Sequence, residues 1–160
     1  MVTEKRTVLF LCTGNSARSQ MAEALVNARL GDRWQAQSAG VEPTGRVNPG
    51  AIQALAEIGI QHAGESKHVN LFLKNDFDLV VTVCDDAAEN CPVWLGKGKR
   101  EHLSFPDPAK VNGSDEEKLE AFRQVLSDIS VRIPALLLEK ERGLLGGESW
   151  PSIGFGRVSR

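Results

Sequence analysis

The sequence predicts a single three-layer α/β domain, in which a four-stranded parallel sheet carries helices on both faces. Two continuous apolar runs, 7–12 and 77–84, have the composition of strands that are buried on both faces of a sheet. Stretches in which apolar residues recur at helical spacing lie between and after these runs. This alternation of strands and helices favours a parallel sheet with right-handed crossovers.

The helices and the remaining strands follow from apolar spacing and from capping residues. Helices are predicted at 17–30 and 49–58, the second with Asn48 as its N-cap. Ser114 and Glu117 form a capping-box pattern that opens a third, long helix. The side chains predicted to face inward on the three helices are Met21, Leu25 and Ala28; Ile52, Leu55, Ala56 and Ile58; and Leu119, Phe122, Val125, Leu126, Ile129 and Ile133. The strands with weaker patterns are those at 34–38 and 101–105.

Length and composition limit the kind of protein. Of the 160 residues, 41% are apolar and 25% are charged, which is typical of a globular domain rather than a disordered chain. The net charge of −2 argues against a nucleic-acid groove as the main function. No apolar run is long enough to span a membrane, and the run at 7–12 is too short for a signal peptide. We therefore expect a cytoplasmic monomer with no nucleic-acid or membrane partner.

The chain is predicted to form one domain at 1–142, since neither a linker nor an internal repeat interrupts its pattern. From position 143 onward, glycines lie among few periodic apolar residues. This composition predicts a flexible, glycine-rich C-terminal tail at 143–160.

The three cysteines are the feature that most needs an explanation. An odd number of cysteines in a cytoplasmic protein is not typical of a disulfide framework, so Cys12, Cys84 and Cys91 are either chemically active or merely buried. Six residues between Cys84 and Cys91 are not a usual zinc spacing, and the three histidines form no ligand pattern. We expect no metal and no cofactor.

The segment 12–19 follows a strand and opens a helix, and this arrangement can bind an anion. Successive backbone N–H groups of such a loop can point into one concavity, where the positive end of the helix adds its field. Gly14 and Asn15 tolerate the positive φ that the curl needs, and Arg18 can close the ring with its planar guanidinium. The predicted oxyanion-binding residues are Thr13, Gly14, Asn15, Ser16, Ala17, Arg18 and Ser19.

The same loop makes Cys12 a candidate nucleophile. The field of the loop stabilises a thiolate, and the Ser19 hydroxyl can donate a hydrogen bond to the sulfur. The spacing between Cys12 and Arg18 is weak evidence by itself. The preceding strand, the internal glycine, the following serine and the helix together favour an oxyanion site over the alternative, a buried cysteine at the end of a strand.

The run Leu-Phe-Leu-Cys-Thr-Gly-Asn-Ser-Ala-Arg-Ser-Gln-Met-Ala-Glu, at 9–23, resembles the signature loop of the low-molecular-weight protein tyrosine phosphatase superfamily. Within that superfamily it is most similar to the thioredoxin-coupled arsenate reductases. The resemblance covers about 7–139 and implies a low-molecular-weight tyrosine phosphatase-like fold. It departs at Ala17, where both branches often have a cysteine that the reductase chemistry does not require.

Cys84 and Cys91 follow the second strong strand, at the sheet edge that also carries Cys12. If 85–90 forms a short helix, the two cysteines lie ~10 Å apart along its axis, whereas a disulfide needs Cα atoms within roughly 7 Å. An 84–91 disulfide therefore requires this segment to unwind. The reductases that the chain resembles use such a step, so we predict a redox-driven movement that brings a disulfide to the surface. Two core thiols remain the alternative.

The resemblance implies a relay of three cysteines. Cys12 attacks arsenate while Arg18 and the loop amides hold the oxyanion; Cys84 then attacks Cys12 and arsenite leaves. Cys91 attacks Cys84, and the resulting disulfide is reduced by thioredoxin. Glutaredoxin with glutathione remains a possible reductant. A phosphatase needs only the first cysteine.

Asp107 lies in a Pro-Asp-Pro sequence, which by itself most often forms a turn. The family places its catalytic acid in the matching Asp-Pro, so the resemblance assigns Asp107 the protonation of the leaving oxygen. Ala109 and Lys110 follow where tyrosine phosphatases usually carry aromatic residues, and the chain contains no tyrosine. These departures favour a small inorganic oxyanion over a phosphotyrosine.

Asn15, Glu23 and Ser38 match positions that build a potassium site behind the loop in some of these reductases. The other ligands of that site are absent here, and Lys67 can place its ammonium where the cation would lie. We therefore expect little dependence on potassium. Two alternatives to an arsenate reductase remain: a hydrolase of phosphotyrosine or other phosphomonoesters, and a non-enzymatic redox or oxyanion-binding module.

Overall fold

The computed structural model describes residues 5–85 and 91–146, with the backbone alone for 144–146. No helix in this part of the chain is long and apolar enough to cross a membrane. The elements, in chain order, are β1 (Arg6–Cys12), α1 (Arg18–Arg29), β2 (Trp34–Gly40), α2 (Pro49–Glu57), a 3₁₀ helix (Val69–Phe72), β3 (Asp76–Thr82), β4 (Lys97–His102), a second 3₁₀ helix (Pro108–Lys110) and α3 (Asp115–Gly146).

The four strands form one parallel sheet, as predicted, and their order in the sheet is β2-β1-β3-β4. The chain adds β2 on one side of β1 and then β3 on the other, so the direction of winding reverses at β1. In open α/β sheets, ligands bind at the carboxyl edge beside such a reversal. Cys12 is the last residue of β1, and Cys84 follows the end of β3, so both cysteines lie at this edge.

The two faces of the sheet are covered differently. All three α-helices pack on the face that carries Val8, Phe10 and Leu79. The other face, which carries Leu9 and Leu11, is covered in the described part of the chain by the first 3₁₀ helix and by Trp94. Both faces of the sheet are therefore packed against helices, but on the second face the only helix among the described residues is a short 3₁₀ helix, which packs there together with Trp94.

Some element boundaries and helix faces differ from the prediction. The last strand spans Lys97–His102 rather than 101–105, because it is an exposed edge strand with mostly charged side chains and therefore has no apolar pattern. In α2 the buried side chains are Ala51, Ala54 and Leu55, whereas Ile52 is 39% exposed. The remaining predicted inward residues that the structure places outside the core are Ala28, Ala56 and Ile58, with Leu119 half-buried.

The long helix α3 begins with the predicted capping box. Ser114 N–H donates to Glu117 Oε1 at 2.8 Å, and Glu117 N–H donates to Ser114 Oγ at 3.1 Å. The hydrogen bond that the backbone N–H of Ser114 donates to the carboxylate is the main cause that holds the pKa of Glu117 below its ordinary value. The helix continues to Gly146, past the predicted domain boundary at 142. Residues 147–160, most of the predicted tail, lie outside the described residues.

Candidate active site

Each backbone carbonyl oxygen of the loop at 13–17 accepts a hydrogen bond from a group outside the loop, so these oxygens point away from the centre of the loop. The donors come from several separate segments, so the loop is braced from different sides. These hydrogen bonds run from Glu42 N–H to Thr13 O (2.9 Å), from Thr44 N–H and the Ser66 hydroxyl to Gly14 O (3.1 Å each), from Gln20 Nε2 to Asn15 O (3.2 Å), from Asn48 N–H to Ser16 O (2.8 Å) and from Met21 N–H to Ala17 O (2.8 Å).

These outward carbonyls determine where the amide groups point. The described residues contain no cis peptide bond, and in a trans peptide the N–H points opposite to the preceding C=O. The N–H groups of residues 14–18 therefore face the inside of the loop, together with the amino end of α1. One of them, Asn15 N–H, lies 3.3 Å from Cys12 Sγ. A ring of inward amides at a helix N-terminus suits a tetrahedral oxyanion.

Cys12 lies at the base of this ring and is 2% exposed. Its sulfur is 2.9 Å from Ser19 Oγ, and Ser19 Oγ accepts a hydrogen bond from Asn15 Nδ2 at 2.8 Å. Because that acceptance leaves the Ser19 hydroxyl hydrogen available, the hydroxyl can donate to the sulfur. This geometry suits a thiolate at Cys12.

The backbone strain of the loop falls on one residue. Of the two residues that the sequence indicated, Asn15 has the positive φ, 50°, and Gly14 does not. Asparagine tolerates the left-handed region better than most residues. At Gly14 space is tight instead, since a Cβ there would lie 3.2 Å from the Thr44 methyl group.

Gly40 is a site residue that sequence reasoning missed. It pairs with Cys12 at the end of β2, and a Cβ at this position would lie 2.5 Å from Thr13 O and 3.0 Å from Asn15 N. Real Cβ atoms do not approach a backbone oxygen so closely. The sequence alone does not show that this glycine is important, because the register of the sheet determines that it lies against the loop.

Arg18 and Asp107 come together as the sequence predicted. Arg18 is buried, and its Nη1 donates to Phe105 O at 3.1 Å while its Nη2 lies 3.6 Å from Asp107 Oδ2. Asp107 Oδ1 accepts from Ala109 N–H at 2.9 Å. The Asp107 carboxylate is therefore held beside the arginine that closes the ring.

The four predicted support residues also meet behind the loop. Ser38 Oγ–H donates to Glu23 Oε1 at 2.5 Å, and Lys67 Nζ lies 3.7 Å from the same oxygen. Lys67 N–H donates to Asn15 Oδ1 at 2.8 Å. The lysine ammonium thus lies beside the one carboxylate of this group.

Cys84 and Cys91 are joined by a disulfide, with their Cα atoms 5.7 Å apart. This separation is well below the helical distance expected from their spacing, and residues 86–90 between them lie outside the described residues. The predicted exposure of the disulfide is not observed at Cys84, which is fully buried, whereas Cys91 is half-buried. Cys12 is the free cysteine, and it shares a buried cluster with Cys84, against which Cys91 packs.

A buried polar network behind the loop was also missed. Gln20 Nε2 donates to Asn15 Oδ1 at 3.0 Å and to Glu65 O at 2.8 Å, and His62 Nε2 lies 2.8 Å from Gln20 Oε1. Burial lowers the pKa of His62. The only signal in the sequence is the position of Gln20 in the first turn of α1, directly after the loop.

The model of the low molecular weight phosphotyrosine protein phosphatase family matches residues 7–143. The chain belongs to this family, and the resemblance seen in the loop is confirmed. The chain is 44% identical over 131 residues to an arsenate reductase of Bacillus subtilis, an alignment that covers 81% of this chain and 94% of the relative. It is 48% identical over 130 residues to an arsenate reductase of Halalkalibacterium halodurans, covering 81% and 93%.

A solved structure gives the same result for the fold. The crystal structure of an arsenate reductase from Archaeoglobus fulgidus superposes with a TM-score of 0.69 at 36% identity, covering 81% of this chain and 97% of that one. The four-stranded parallel sheet and its helices are therefore those of this family, as the sequence predicted.

Proposed function

We propose that this chain is an arsenate reductase that works through a relay of three cysteines. The observation that carries the proposal is that all three sulfurs belong to one region. Cys12 is free at the base of the oxyanion loop, Cys84 lies in the same buried cluster, and Cys91 is bonded to Cys84. A phosphatase of this fold needs the first cysteine alone, so the second and third indicate reduction.

The first step is nucleophilic attack on the oxyanion. Arsenate lies in the ring of loop amides, with Arg18 binding two of its oxygens. The Cys12 thiolate attacks arsenic and forms an S–As bond, the bond from arsenic to one of its hydroxyl groups breaks, and this hydroxyl leaves as water with a proton donated by Asp107. The 3.6 Å contact between Arg18 and Asp107 keeps the acid beside the oxyanion site.

The second step transfers two electrons. The Cys84 thiolate attacks Cys12 Sγ, the S–As bond breaks, and its electron pair stays on arsenic, which leaves as arsenite. Cys91 then attacks Cys84 Sγ and releases Cys12 as a thiolate. Two thiols have become one disulfide, and the bonded pair Cys84–Cys91 corresponds to the end of this sequence.

The disulfide must be reduced before the next turnover. We propose thioredoxin as the reductant, with glutaredoxin and glutathione as the rival, and the cytoplasm as the location because a relay of free thiols needs a reducing compartment. Arsenate is the proposed small-molecule partner, and the chain is proposed to act as a monomer without a metal or cofactor.

The test follows NADPH oxidation with arsenate, thioredoxin and thioredoxin reductase. We expect turnover by the wild-type chain and none by Cys84→Ser or Cys91→Ser, since each variant lacks one thiol of the relay. Both variants should retain hydrolysis of an aryl phosphate, because that reaction uses Cys12 alone. Cys12→Ser should lose both activities and serves as the control for background reduction.

The alternative is a phosphatase that hydrolyses phosphomonoesters through a Cys12 phosphoenzyme. Rapid hydrolysis of phosphotyrosine without arsenate turnover would favour this alternative. Weak hydrolysis alongside arsenate reduction is expected in any case, because phosphate and arsenate share their shape and charge.

A further inference from the structure

Gln20 is a fully buried polar side chain to which the proposed chemistry gives no role, although it lies directly behind the loop. Its Nε2 is within hydrogen-bond distance of three oxygens: Asn15 Oδ1 at 3.0 Å, Asn15 O at 3.2 Å and Glu65 O at 2.8 Å. All three of these partners are oxygens that accept hydrogen bonds, so the nitrogen of the amide must face Asn15 and Glu65.

The other end of the Gln20 amide fixes the same orientation. His62 Nε2 lies 2.8 Å from Gln20 Oε1, which can only accept, so the histidine carries a proton on Nε2. Gly64 leaves room for this contact, because a Cβ there would lie 2.5 Å from His62 Nε2 and 2.7 Å from Gln20 Oε1. Gln20 therefore joins the segment 62–67 to the anion loop.

The network continues from Gln20 to the sulfur. Asn15 Oδ1 accepts from Gln20 Nε2 and from Lys67 N–H, which turns Asn15 Nδ2 toward Ser19. Ser19 Oγ accepts from that nitrogen at 2.8 Å and lies 2.9 Å from Cys12 Sγ. Because Ser19 Oγ accepts the hydrogen bond from the Asn15 side-chain amide, the Ser19 hydroxyl hydrogen is free to donate to Cys12 Sγ.

We propose that Gln20 is a positioning residue that directs the Ser19 hydroxyl toward the Cys12 thiolate through Asn15. Gln20 touches neither the sulfur nor the oxyanion. Without the Gln20 amide, Lys67 N–H is left to hold Asn15 Oδ1 without that second donor. The Asn15 side chain is then freer to turn its oxygen toward Ser19, and in that orientation the Ser19 hydrogen goes to Asn15. The thiolate loses a hydrogen bond and forms at a higher pH. This proposal rests on Cys12 being the nucleophile of the proposed function.

The test measures alkylation of Cys12 by iodoacetamide as a function of pH, in protein whose Cys84–Cys91 disulfide is intact. In that state Cys12 is the free cysteine, so the reaction reports on it alone. Gln20→Met keeps the length of the side chain and removes its amide. We expect the pH of half-maximal reaction to rise by about 0.5 or more, which slows alkylation about threefold at pH values well below that midpoint.

Two control variants separate positioning from general loss of stability. Gln53→Met makes the same change at an exposed position, and Leu126→Ala removes core volume in α3 without changing a polar group of the network. Neither should move the pH of half-maximal alkylation. Gln20→Asn keeps an amide that is too short to reach both Asn15 and Glu65, and it should shift the profile like Gln20→Met.

An unchanged profile in a folded Gln20 variant would overturn the proposal, as would an equal shift in Leu126→Ala. Should Gln20→Met not fold, Gln20→Asn decides by the same criterion. The alkylation assay needs no arsenate and no thioredoxin. A chain that lacks arsenate turnover would therefore contradict the proposed function and leave the result on Gln20 standing.

Discussion

Gly40 controls the anion loop although it lies outside it. The loop presses its backbone against the end of β2, where a side chain of any size would meet Thr13 O. The geometry of the amides therefore depends on a residue that contributes no polar group of its own beyond its backbone. Small displacements of such a site are costly, since misplacing a bound group by about 1 Å can slow a reaction about 100-fold.

Gly40→Ala should accordingly lower kcat/KM for aryl phosphate hydrolysis by about 100-fold, because the loop must shift to admit the methyl group. Gly143→Ala is the matched control, since a Cβ at that helical position meets nothing within 4 Å. Alanine in a helix is favoured over glycine by about 1 kcal/mol, so this control should keep full activity and unfold at the same or a higher temperature. Full activity of Gly40→Ala would contradict the assignment.

Lys67 leads to a prediction about ions. Its ammonium lies 3.7 Å from Glu23 Oε1, beside the Ser38 hydroxyl, so this chain carries a positive charge of its own behind the loop. Replacing sodium by potassium should change steady-state turnover of the wild-type chain by less than about twofold, because the carboxylate already has a cationic partner. A clear potassium stimulation of the wild type would show that the lysine does not fill this role.

Among the elements, α3 shows how a capping pattern fixes a helix start. Ser114 and Glu117 satisfy two backbone N–H groups that the helix leaves unpaired. The hydrogen bonds from Ser114 lower the pKa of Glu117 in the folded chain. A carboxyl group whose pKa is lowered in the folded state stabilises the fold at any pH above its pKa in the unfolded state, which is 4.5 for this group. This contribution is lost as the pH falls through the pKa of the folded state.

Glu117→Gln should therefore lower the free energy of unfolding at pH 7 relative to the wild type. The difference should shrink as the pH is lowered below 4.5, where the wild-type carboxyl group also becomes protonated. Urea denaturation at several pH values measures both effects. Glu139→Gln, an exposed position on the same helix, is the control and should unfold like the wild type at every pH. A difference that grows on acidification would contradict the assignment.

The face that each helix buries was harder to predict than the helix itself. In α2 the isoleucines suggested an inward stripe, yet the buried stripe consists of Ala51, Ala54 and Leu55. Small residues face the core there because Phe122 of α3 comes close: a Cβ at Gly50 would lie 2.6 Å from its ring. The preferred face is set by what packs against the helix, and a single sequence does not contain that partner.

At the scale of the whole molecule, the C-terminal part of α3 is hydrogen-bonded to the start of β2. Glu141 is buried, and its Oε2 accepts from Trp34 Nε1 at 2.6 Å and from Arg33 Nε at 2.9 Å. Hydrogen bonding to the carboxylate raises the pKa of Arg33. Trp34 is the first residue of β2, so this fastening lies at the amino edge of the sheet, away from the oxyanion loop at the carboxyl edge.

Glu141→Ala should therefore reduce stability without reducing activity. The change leaves the buried Trp34 N–H without its acceptor, which costs about 1–3 kcal/mol, or roughly 2–4 °C in Tm for each kcal/mol in a chain of this size. Thermal unfolding measures the loss, and kcat at 25 °C should match that of the wild type. The exposed control Glu139→Gln should change neither quantity. A large fall in kcat would show that the fastening also holds the active site.

The central strands of the sheet and the loop that follows β1 could be predicted from the sequence, because each has a local pattern. The edge strand β4 was placed too late in the chain, because its mostly charged side chains give no apolar pattern. Apolar runs marked the central strands, and the segment that begins at Cys12 combined strand, glycine, arginine and helix in one stretch. Gly40 and His62 could not be found this way. Their importance comes from what lies beside them in space, set by strand register for the first and by the path of segment 62–67 for the second.

The coexistence of a complete loop with a closed Cys84–Cys91 bond has a kinetic consequence. In this state Cys12 is free and the ring of amides is in place, while the two thiols that would carry electrons to arsenic are spent. On the proposed relay, arsenate that enters before the disulfide is reduced occupies a molecule that has no electrons to give. Arsenate bound in this state waits until the Cys84–Cys91 disulfide has been reduced, so the supply of reductant sets the rate of the cycle whenever arsenate is plentiful.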